Sequence, residues 1–442
     1  MLHGGAKLVA VVTACGHRPI HWCPHADAPP GAIFVFVGIL HVQSDGTPFA
    51  IFQAMEWPRR PVEQIPRERF RPPRCPWPDC PQHRIRHGFR YKLNGSFPRK
   101  GDQRRVQRFL CKTCGKTCSQ STFSCSYYAK LPRIGHQIAA QLNAGSAHRQ
   151  IARSLDCAPS TVTRRAAALG RHALLLHALA LEQIPGIHEP VSADHFESFV
   201  YSQFDALGIA TAVGHRSWFV YVVDPAPHRR GGRLTPAQRN KLARSKRPAP
   251  KPGSVKRSFR RMLDVLADKV PPGDELAVIS DDHPSYRPAV SRHPAANRIA
   301  HRIYRNPRRG PKGSPRSPEA EARDRAMFPV DQLHSLIRHT CSHHRRQTIA
   351  FGRRINAAME RAYLFVVWRN FVKWRSERKP DRTTPAMRLG LVREGWSWSR
   401  VFARRLFPAR IRVPEPWMRI YRRDWDDDAA GPFVRHRLKH AV

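Results

Sequence analysis

The chain has 442 residues, 41% of them hydrophobic, which is enough for roughly three domains with apolar cores. Its 77 Lys and Arg against 33 Asp and Glu give a formal net charge of +44 at pH 7, and a compact chain with this charge needs a polyanion such as nucleic acid to neutralise it. No apolar run approaches the ~20 residues that span a bilayer, which excludes a membrane protein. Ten cysteines are too few for a disulfide scaffold, so we expect a reducing, cytoplasmic compartment.

The charge of the chain changes abruptly near Met55. Residues 1–54 carry few charged side chains, whereas the sequence beyond Met55 is densely basic. Two interpretations are open: a small separate strand-rich segment, or an extension of the reading frame upstream of a true start at Met55. We favour the extension on composition alone.

Two cysteine pairs within residues 55–128 have metal-ligand spacing. Four residues separate the members of the first pair, two separate those of the second, and 30 residues lie between the pairs. Each short turn aims two sulfurs at one point, which suits tetrahedral coordination of a structural Zn²⁺ in a zinc ribbon. The predicted zinc ligands are Cys75, Cys80, Cys111 and Cys114. Cys118 and Cys125 are nearby substitutes, and an iron–sulfur cluster is the alternative.

Residues 129–190 predict a small helical domain with a helix-turn-helix. One helix ends near Leu155 and a second begins at Pro159, which matches the spacing of that motif. The early turns of the second helix would then reach base edges and phosphates. The predicted DNA-binding residues there are Ser160, Thr161, Thr163, Arg164 and Arg165. An ordinary helical hairpin is the alternative, since Ala158 is a poor N-cap.

Beyond residue 190 the apolar residues change to strand-like runs, bounded by Gly, Pro and Asp. We interpret residues 191–375 as one α/β domain that contains a basic insertion at residues 225–256. A helical stretch is predicted from Pro329 to about Arg375. Residues 376–442 form a basic, Trp-rich C-terminal segment.

Three carboxylates lie at the ends of these predicted elements. Asp194 begins the first strand, Asp281 directly follows the apolar strand LAVIS, and Asp331 opens the helix that starts at Pro329. If the three converge, they repel one another unless divalent cations lie between them. Two Mg²⁺ ions held in this way can promote attack on a phosphodiester. The alternative is that each Asp merely caps a strand or helix.

The chain from about Met55 onward resembles the DDE-class transposases of bacterial insertion sequences. The resemblance is densest in four places: RCPWPDC with RFLCKTCGKTCSQSTFS, ADHFESF, LAVISDDHPSY, and the long run at residues 305–354, which continues through residues 357–388. It implies a multidomain α/β protein in which a zinc ribbon and a helix-turn-helix domain precede an RNase H-like mixed-sheet catalytic domain. It implies Asp194, Asp281 and Asp331 as the catalytic ligands of two Mg²⁺ ions, and Zn²⁺ as a structural ion.

The resemblance also implies a function. The expected activity is Mg²⁺-dependent cleavage and strand transfer on double-stranded DNA, at the terminal repeats of the element and at its target, by a homodimer or a larger assembly in the nucleoid. Arg338, Arg345 and Arg346 would contact phosphates along the DNA path. A solvated basic helix face explains these arginines almost as well.

The sequence departs from the family pattern at the third acid. That position is usually Glu, so Glu360 competes with Asp331, although the apolar surroundings of Glu360 suggest a buried structural residue. Asp282 similarly competes with Asp281. The departure favours one rival function, a catalytically inactive or domesticated DNA-binding protein derived from such an element. An RNA-binding zinc protein is a third hypothesis.

Overall fold

The computed structural model describes residues 40–42, 48–50, 54–245, 249–308, 310–311, 313–377 and 381–425. The chain divides into two compact units, Met1–Ala50 and Ile51–Val442. In the first unit, strands β1 (Leu40–Val42) and β2 (Pro48–Ala50) pair antiparallel, with His41 opposite Phe49. Residues 1–39, 43–47 and 51–53 of the predicted N-terminal extension, and residues 378–380 and 426–442 of the C-terminal segment, lie outside the described residues.

The first sheet of the second unit is three-stranded and antiparallel, in the order β3-β4-β5. Its strands are β3 (Tyr91–Pro98), β4 (Arg105–Cys111) and β5 (Thr117–Ser119). Phe109 of β4 is fully buried against Phe70 and Phe123. Strands β3 and β4 therefore form a hairpin between the two cysteine pairs, and burial of its aromatic side chains stabilises it.

Three helices follow the small sheet: α1 (Gly135–Asn143), α2 (His148–Ser154) and α3 (Pro159–Gln183). The predicted end of one helix near Leu155 and start of the next at Pro159 agree with these bounds. Pro159 suits the first turn of a helix because its missing N–H needs no partner there. Helix α3 is much longer than a recognition helix needs to be, and its C-terminal half is buried in the main core.

The larger sheet has five strands in the order β10-β9-β6-β7-β8. They are β6 (Val191–Phe199), β7 (Asp205–Gly214), β8 (Val220–Arg229), β9 (Leu276–Asp281) and β10 (Ile299–Tyr304). The pairs β6–β7 and β7–β8 are antiparallel, whereas β6–β9 and β9–β10 are parallel. The fold is therefore mixed α/β, with β6 at the centre of a mixed sheet.

The basic segment after β8 is shorter than the predicted insertion at residues 225–256. Strand β8 continues to Arg229 and includes Pro225 and Pro227, which a strand at the edge of a sheet tolerates because it needs fewer N–H donors. Helix α4 (Pro236–Ala243) and helix α5 (Ser254–Ala267) follow. The segment between β8 and α5 therefore comprises residues 230–253.

Helices cover both faces of the five-stranded sheet. Successive residues of β6 point to opposite faces, so alternate residues face the same helix. Ser192 donates to the Ala326 carbonyl oxygen of α7 (Pro318–Thr340), so Ser192 and Asp194 face α7. His195 contacts Ser258 of α5 on the other face. Helix α6 (Tyr286–Ser291) follows β9.

Helix α7 corrects one prediction. The Ser317 hydroxyl caps its first turn by accepting from the Ala320 N–H at 3.2 Å, and Pro329 lies inside the helix. The prediction that Asp331 opens a helix at Pro329 is therefore wrong, because an N-cap and Pro318 at the first position start the helix 13 residues before Asp331.

The C-terminal part adds helices to the same core. The predicted helical stretch from Pro329 to about Arg375 consists of the end of α7, then α8 (Ile355–Val367), which continues into a π-helical turn at Trp368–Val372. Three short helices follow: α9 (Pro385–Arg388), α10 (Trp398–Val401) and α11 (Glu415–Arg422). Trp396 and Trp417 are buried, so these two rings serve as core. Within the described residues, no helix has the length and hydropathy to cross a membrane.

Candidate functional site

The four predicted zinc ligands converge. The Sγ atoms of Cys75, Cys80, Cys111 and Cys114 all lie within 4.8 Å of one another. Cys75 Sγ is 3.7 Å from Cys114 Sγ, and Cys80 Sγ is 3.8 Å from Cys111 Sγ. Four sulfurs placed tetrahedrally at about 2.3 Å from one zinc ion would be about 3.8 Å apart. The cluster can therefore hold a structural metal ion such as zinc.

Backbone hydrogen bonds shape both cysteine turns. The Cys75 N–H donates to the Gln82 carbonyl at 3.2 Å, and the Cys111 N–H donates to the Lys116 carbonyl at 3.0 Å. Gly115 adopts φ +66°, a conformation that favours glycine, and returns its N–H to the Cys111 carbonyl at 3.0 Å. The CxxCG sequence is therefore needed for the turn as well as for the sulfurs.

Neither substitute cysteine belongs to the cluster. Cys118 is buried in an apolar group with Phe109 and Phe123. Cys125 lies beside α3, and its Sγ donates to the Arg404 carbonyl oxygen at 3.3 Å. The described residues therefore bring together the four cysteines chosen from spacing and leave the two substitutes apart.

The first predicted acid, Asp194, lies on the central strand facing α7. Its Oδ1 accepts from the His195 N–H at 2.7 Å and from the Tyr286 hydroxyl at 3.1 Å. Its Oδ2 is 3.8 Å from His334 Nδ1. Burial, then the neighbouring charge of Asp281, raises the pKa of Asp194 to about 7. A cation that approaches this carboxyl group would favour its ionised form and lower its pKa.

The second predicted acid, Asp281, ends the neighbouring parallel strand. The register pairs Ser192 with Ile279, so that two residues further along each strand Asp194 and Asp281 become neighbours on one face. Asp281 Oδ1 accepts from the His283 N–H at 3.2 Å and its Oδ2 from Asn306 Nδ2 at 3.3 Å. Burial raises the pKa of Asp281 as well.

The third predicted acid, Asp331, approaches the same place from α7. Its negative charge contributes to the raised pKa of Asp194. The Arg323 guanidinium pairs with it, with Nη2 at 3.4 Å from Oδ1 and Nη1 in shorter contact with Oδ2. Within the described residues, the cysteine cluster is the one set of three or more ligand atoms that lie mutually within 4.8 Å. The three carboxylates are therefore neighbours at a wider spacing.

The chemistry of this acid set suits a hard divalent cation. Mg²⁺ is typically held in proteins by one or two carboxylates, and water completes its octahedral shell. Among the described residues, no donor lies within hydrogen-bond distance of Asp194 Oδ2. That oxygen is therefore free to bind an ion while Oδ1 stays held by the protein.

The two competing acids have other partners. Glu360 is 1% exposed and accepts from Arg171 at 2.8 Å and from Arg423 at 2.6 and 2.8 Å. These contacts tie α8 to α3 and to the chain after α11, as expected for a buried structural residue. Asp282 is partly exposed and lies 3.2 Å from Arg305 and 3.6 Å from Arg287.

Most of the residues predicted to be exposed at the start of the recognition helix are accessible to solvent. Ser160, Thr163 and Arg164 are exposed and Thr161 is half-buried. Thr163 Oγ1 donates to the Pro159 carbonyl oxygen at 3.0 Å.

The prediction that Arg165 contacts DNA from this surface is wrong. Its side chain is buried and donates to the Cys125 carbonyl oxygen at 3.2 Å. Helical spacing places it on the inward face with Val162 and Ala166.

The arginines predicted along the DNA path also differ from one another. Arg338 Nη1 donates to the His344 carbonyl oxygen at 2.5 Å, and its guanidinium lies 4.3 Å from the centre of the Phe196 ring. Those contacts give Arg338 a structural role. Arg345 and Arg346 are exposed, so both remain available to a phosphate backbone.

Sequence reasoning missed the polar side chains around Asp194. The Tyr286 hydroxyl is 2.8 Å from His195 Nδ1, and His195 Nε2 is 2.8 Å from Ser258 Oγ. On the other side, His334 Nε2 is 2.8 Å from Thr211 Oγ1. Burial lowers the pKa of His334 to about 3, so this imidazole is neutral. The available signal was the spacing, since His334 follows Asp331 by three residues and such pairs share a helix face.

No protein-family model and no curated protein matches this sequence.

Proposed function

We propose that this protein is a DDE-type DNA transposase of an insertion sequence, which cleaves element ends and joins them to target DNA. One observation carries the proposal. The parallel pairing of β6 with β9 makes Asp194 and Asp281 neighbours, and α7 crosses the same sheet face with Asp331. Distant parts of the sequence supply acids to one place, as a phosphodiester-cleaving site with two cations requires.

The sheet topology supports an RNase H-like core. Three antiparallel strands in chain order are followed by two parallel strands on the far side of the first. The first acid lies on the central strand and the second ends the strand parallel to it. This is the arrangement that the resemblance of ADHFESF and LAVISDDHPSY to the transposases implies.

The side chains around the acids would have distinct tasks. Tyr286 and the His195 N–H hold Asp194 Oδ1, so that Oδ2 keeps a fixed direction. Asp194, Asp281 and Asp331 would hold two Mg²⁺ ions, which when bound help to activate a water or 3′-hydroxyl and to stabilise the leaving oxygen. The low solvent exposure of Asp194 strengthens its attraction to a cation.

The remaining parts would bind DNA. The net charge of +44 favours a phosphate backbone as partner, and the four-cysteine cluster with structural Zn²⁺ would keep the ribbon folded. Ser160, Thr161, Thr163 and Arg164 would contact the terminal repeats, with Arg345 and Arg346 on the DNA path. Joining two ends requires both to be held together, so a homodimer or larger assembly on DNA is part of the proposal.

A specific observation favours the rival function, a DNA-binding protein that no longer cuts. The Arg323 guanidinium forms an ion pair with the Asp331 carboxylate. A cationic side chain in this position competes with metal ions for the same carboxylate. In that case the chain would bind element ends without Mg²⁺-dependent chemistry.

A strand-transfer assay separates the two functions. The donor is duplex DNA from the flanks of the coding region, the acceptor is a supercoiled plasmid, and Mg²⁺ or Mn²⁺ is compared with chelator. The expected result is metal-dependent joining that Asp194→Asn and Asp281→Asn each reduce at least ~100-fold, since removal of one catalytic charge costs about 3 kcal/mol or more.

The matched control is Asp282→Asn, which removes a charge beside Asp281 from a carboxylate paired with surface arginines. It is expected to stay within about threefold of the unsubstituted protein, a difference below about 1 kcal/mol. Joining that survives both catalytic substitutions would overturn the proposal. End binding without joining, in protein loaded with metal, would establish the rival function.

A further inference from the structure

The hydrogen bonds around Asp194 leave two lone pairs facing each other. Asp194 Oδ1 is occupied by the His195 N–H and the Tyr286 hydroxyl, at 2.7 and 3.1 Å. Asp194 Oδ2 faces His334 Nδ1 at 3.8 Å. That separation is too long for a hydrogen bond between the two groups.

Donor counting assigns the proton of the imidazole. The Thr211 hydroxyl has one hydrogen and donates it to the Asp194 carbonyl oxygen at 3.0 Å. Its oxygen therefore accepts from His334 Nε2 at 2.8 Å. A neutral imidazole carries one N–H, which this contact uses, so His334 Nδ1 presents a bare lone pair toward Asp194 Oδ2.

We infer that His334 is a nitrogen ligand of the divalent cation bound at Asp194. Two ligand atoms at about 2.1 Å from one ion lie about 3.0 Å apart at right angles and at most about 4.2 Å apart. The observed 3.8 Å between Oδ2 and Nδ1 lies between these two octahedral separations, so the two side chains must approach each other by about 0.8 Å to bind one ion at right angles. Water and a DNA phosphate would complete the shell.

The second coordination shell has the form that metal-bound histidines use. A ligating imidazole almost always donates its other N–H to an oxygen, which fixes the ring orientation. Thr211 provides that oxygen, and its hydroxyl hydrogen is tied to the backbone of Asp194 itself. The ring of His334 also packs edge-on against Phe196, with centroids 5.3 Å apart. The imidazole is therefore held in place before an ion arrives.

A nitrogen ligand changes the expected metal preference. Imidazole suits transition metals better than Mg²⁺ or Ca²⁺, which prefer oxygen ligands. This inference rests on the proposed function for the presence of a cation at Asp194, and it adds that Mn²⁺ binds there more tightly than Mg²⁺. His334→Gln is expected to weaken Mn²⁺ binding about tenfold, the scale of losing one ordered metal contact, and to weaken Mg²⁺ binding less.

The test uses Mn²⁺ as the probe on the full chain, with only the histidines labelled with ¹⁵N. Pulsed electron paramagnetic resonance detects coupling between bound Mn²⁺ and a ligating nitrogen. We expect a ¹⁵N coupling in the unsubstituted protein that disappears in His334→Gln and in Asp194→Asn. The control His228→Gln should keep it, because His228 pairs with Glu197, whose strand position is on the opposite face from Asp194.

Two results would overturn the inference: no ¹⁵N coupling in the unsubstituted protein with Mn²⁺ bound, or a coupling that survives His334→Gln. His283, whose N–H donates to Asp281, is the neighbouring histidine that would account for a surviving coupling, and His283→Gln identifies it. The first needs no variant, so a poorly folded His334→Gln leaves the test intact. Strand transfer is assayed separately on the same sample. Coupling without strand transfer contradicts the proposed function alone, and strand transfer without coupling contradicts this inference alone.

Discussion

Arg323 and Asp331 form an ion pair within one helix, two turns apart, at the edge of the acid site. Arg323 Nη2 lies 3.4 Å from Asp331 Oδ1, Nη1 is in shorter contact with Oδ2, and the attraction raises the pKa of Arg323. The guanidinium therefore supplies the positive charge that a cation would supply at this carboxylate. Whether it yields to a metal ion decides if Asp331 takes part in the site.

Arg323→Gln tests this competition. Removing the guanidinium frees Asp331, so Mn²⁺ affinity measured without DNA is expected to rise by about 1 kcal/mol, or roughly fivefold in Kd. The matched control is Arg325→Gln on the same helix, whose partner Glu321 is exposed. Equal affinities for the two variants would mean that Arg323 does not compete with the metal ion for Asp331.

Cys111→Ser tests the metal cluster. The chain is expected to contain about one zinc ion, and the variant is expected to lose it because three thiolates hold zinc less tightly than four. The midpoint temperature of its thermal unfolding should fall by several degrees, because metal binding stabilises the folded state. Zinc is measured by release to a chromophoric chelator. Cys157→Ser, outside the cluster, should retain the metal, and loss of zinc from both variants would contradict the assignment.

Arg164 and Arg165 are adjacent but should respond differently to substitution. Arg164→Ala is expected to weaken binding to element-end duplex and to reduce the slope of log K against log salt by about one, because one phosphate contact is lost. Arg165→Ala is expected to leave that slope unchanged and to lower the free energy of unfolding by about 1–3 kcal/mol, because a buried hydrogen bond is lost. Fluorescence anisotropy over a salt series and urea denaturation distinguish the two effects.

Glu360→Gln tests the assignment of Glu360 as a structural residue. Arg171 and Arg423 would lose their shared buried charge partner, so the free energy of unfolding should fall by about 3–5 kcal/mol. Mn²⁺ affinity per folded molecule should stay the same. Glu377→Gln, which removes an exposed partner of Lys373, should change the unfolding free energy by less than about 1 kcal/mol. A stable Glu360→Gln with lost metal binding would restore Glu360 as the third acid.

The buried imidazole of His177 is expected to make the free energy of unfolding fall at acid pH. It is fully buried, its Nε2 is 2.9 Å from the Tyr221 carbonyl oxygen, and burial lowers its pKa from 6.5 to about 4. The unfolded chain therefore binds this proton first as pH falls. Stability from this group is complete above about pH 6.5 and declines by up to about 3 kcal/mol as pH falls to about 4.

His177→Gln keeps a donor toward Tyr221 without a titrating ring. Urea denaturation at pH 7.5, 6, 5 and 4.5 should give the variant a shallower loss of unfolding free energy than the unsubstituted protein. Parallel curves would show that His177 binds protons equally in both states.

Local patterns in the sequence were sufficient to predict the short elements and the convergence of the four cysteines. The turn before Pro159, the apolar strand before Asp281 and the CxxCG turn all depend on interactions between residues close in the chain, which propensity and spacing describe. The start of α7 shows the limit, because a capped first turn at Ser317 outweighed Pro329 as a boundary signal.

The sequence by itself determined the mixed α/β class, the four sulfur ligands and the two strand-borne acids, because each follows from local spacing and alternation. Only the tertiary structure decided that Arg165 is buried, that Glu360 joins three elements, and that His334 faces Asp194. Each of these depends on which side of a long helix packs on its neighbours, and a periodic pattern names an apolar face without naming its partner. The direction of the His334 lone pair toward Asp194 depends further on a single hydroxyl hydrogen at Thr211, which no spacing in the chain encodes.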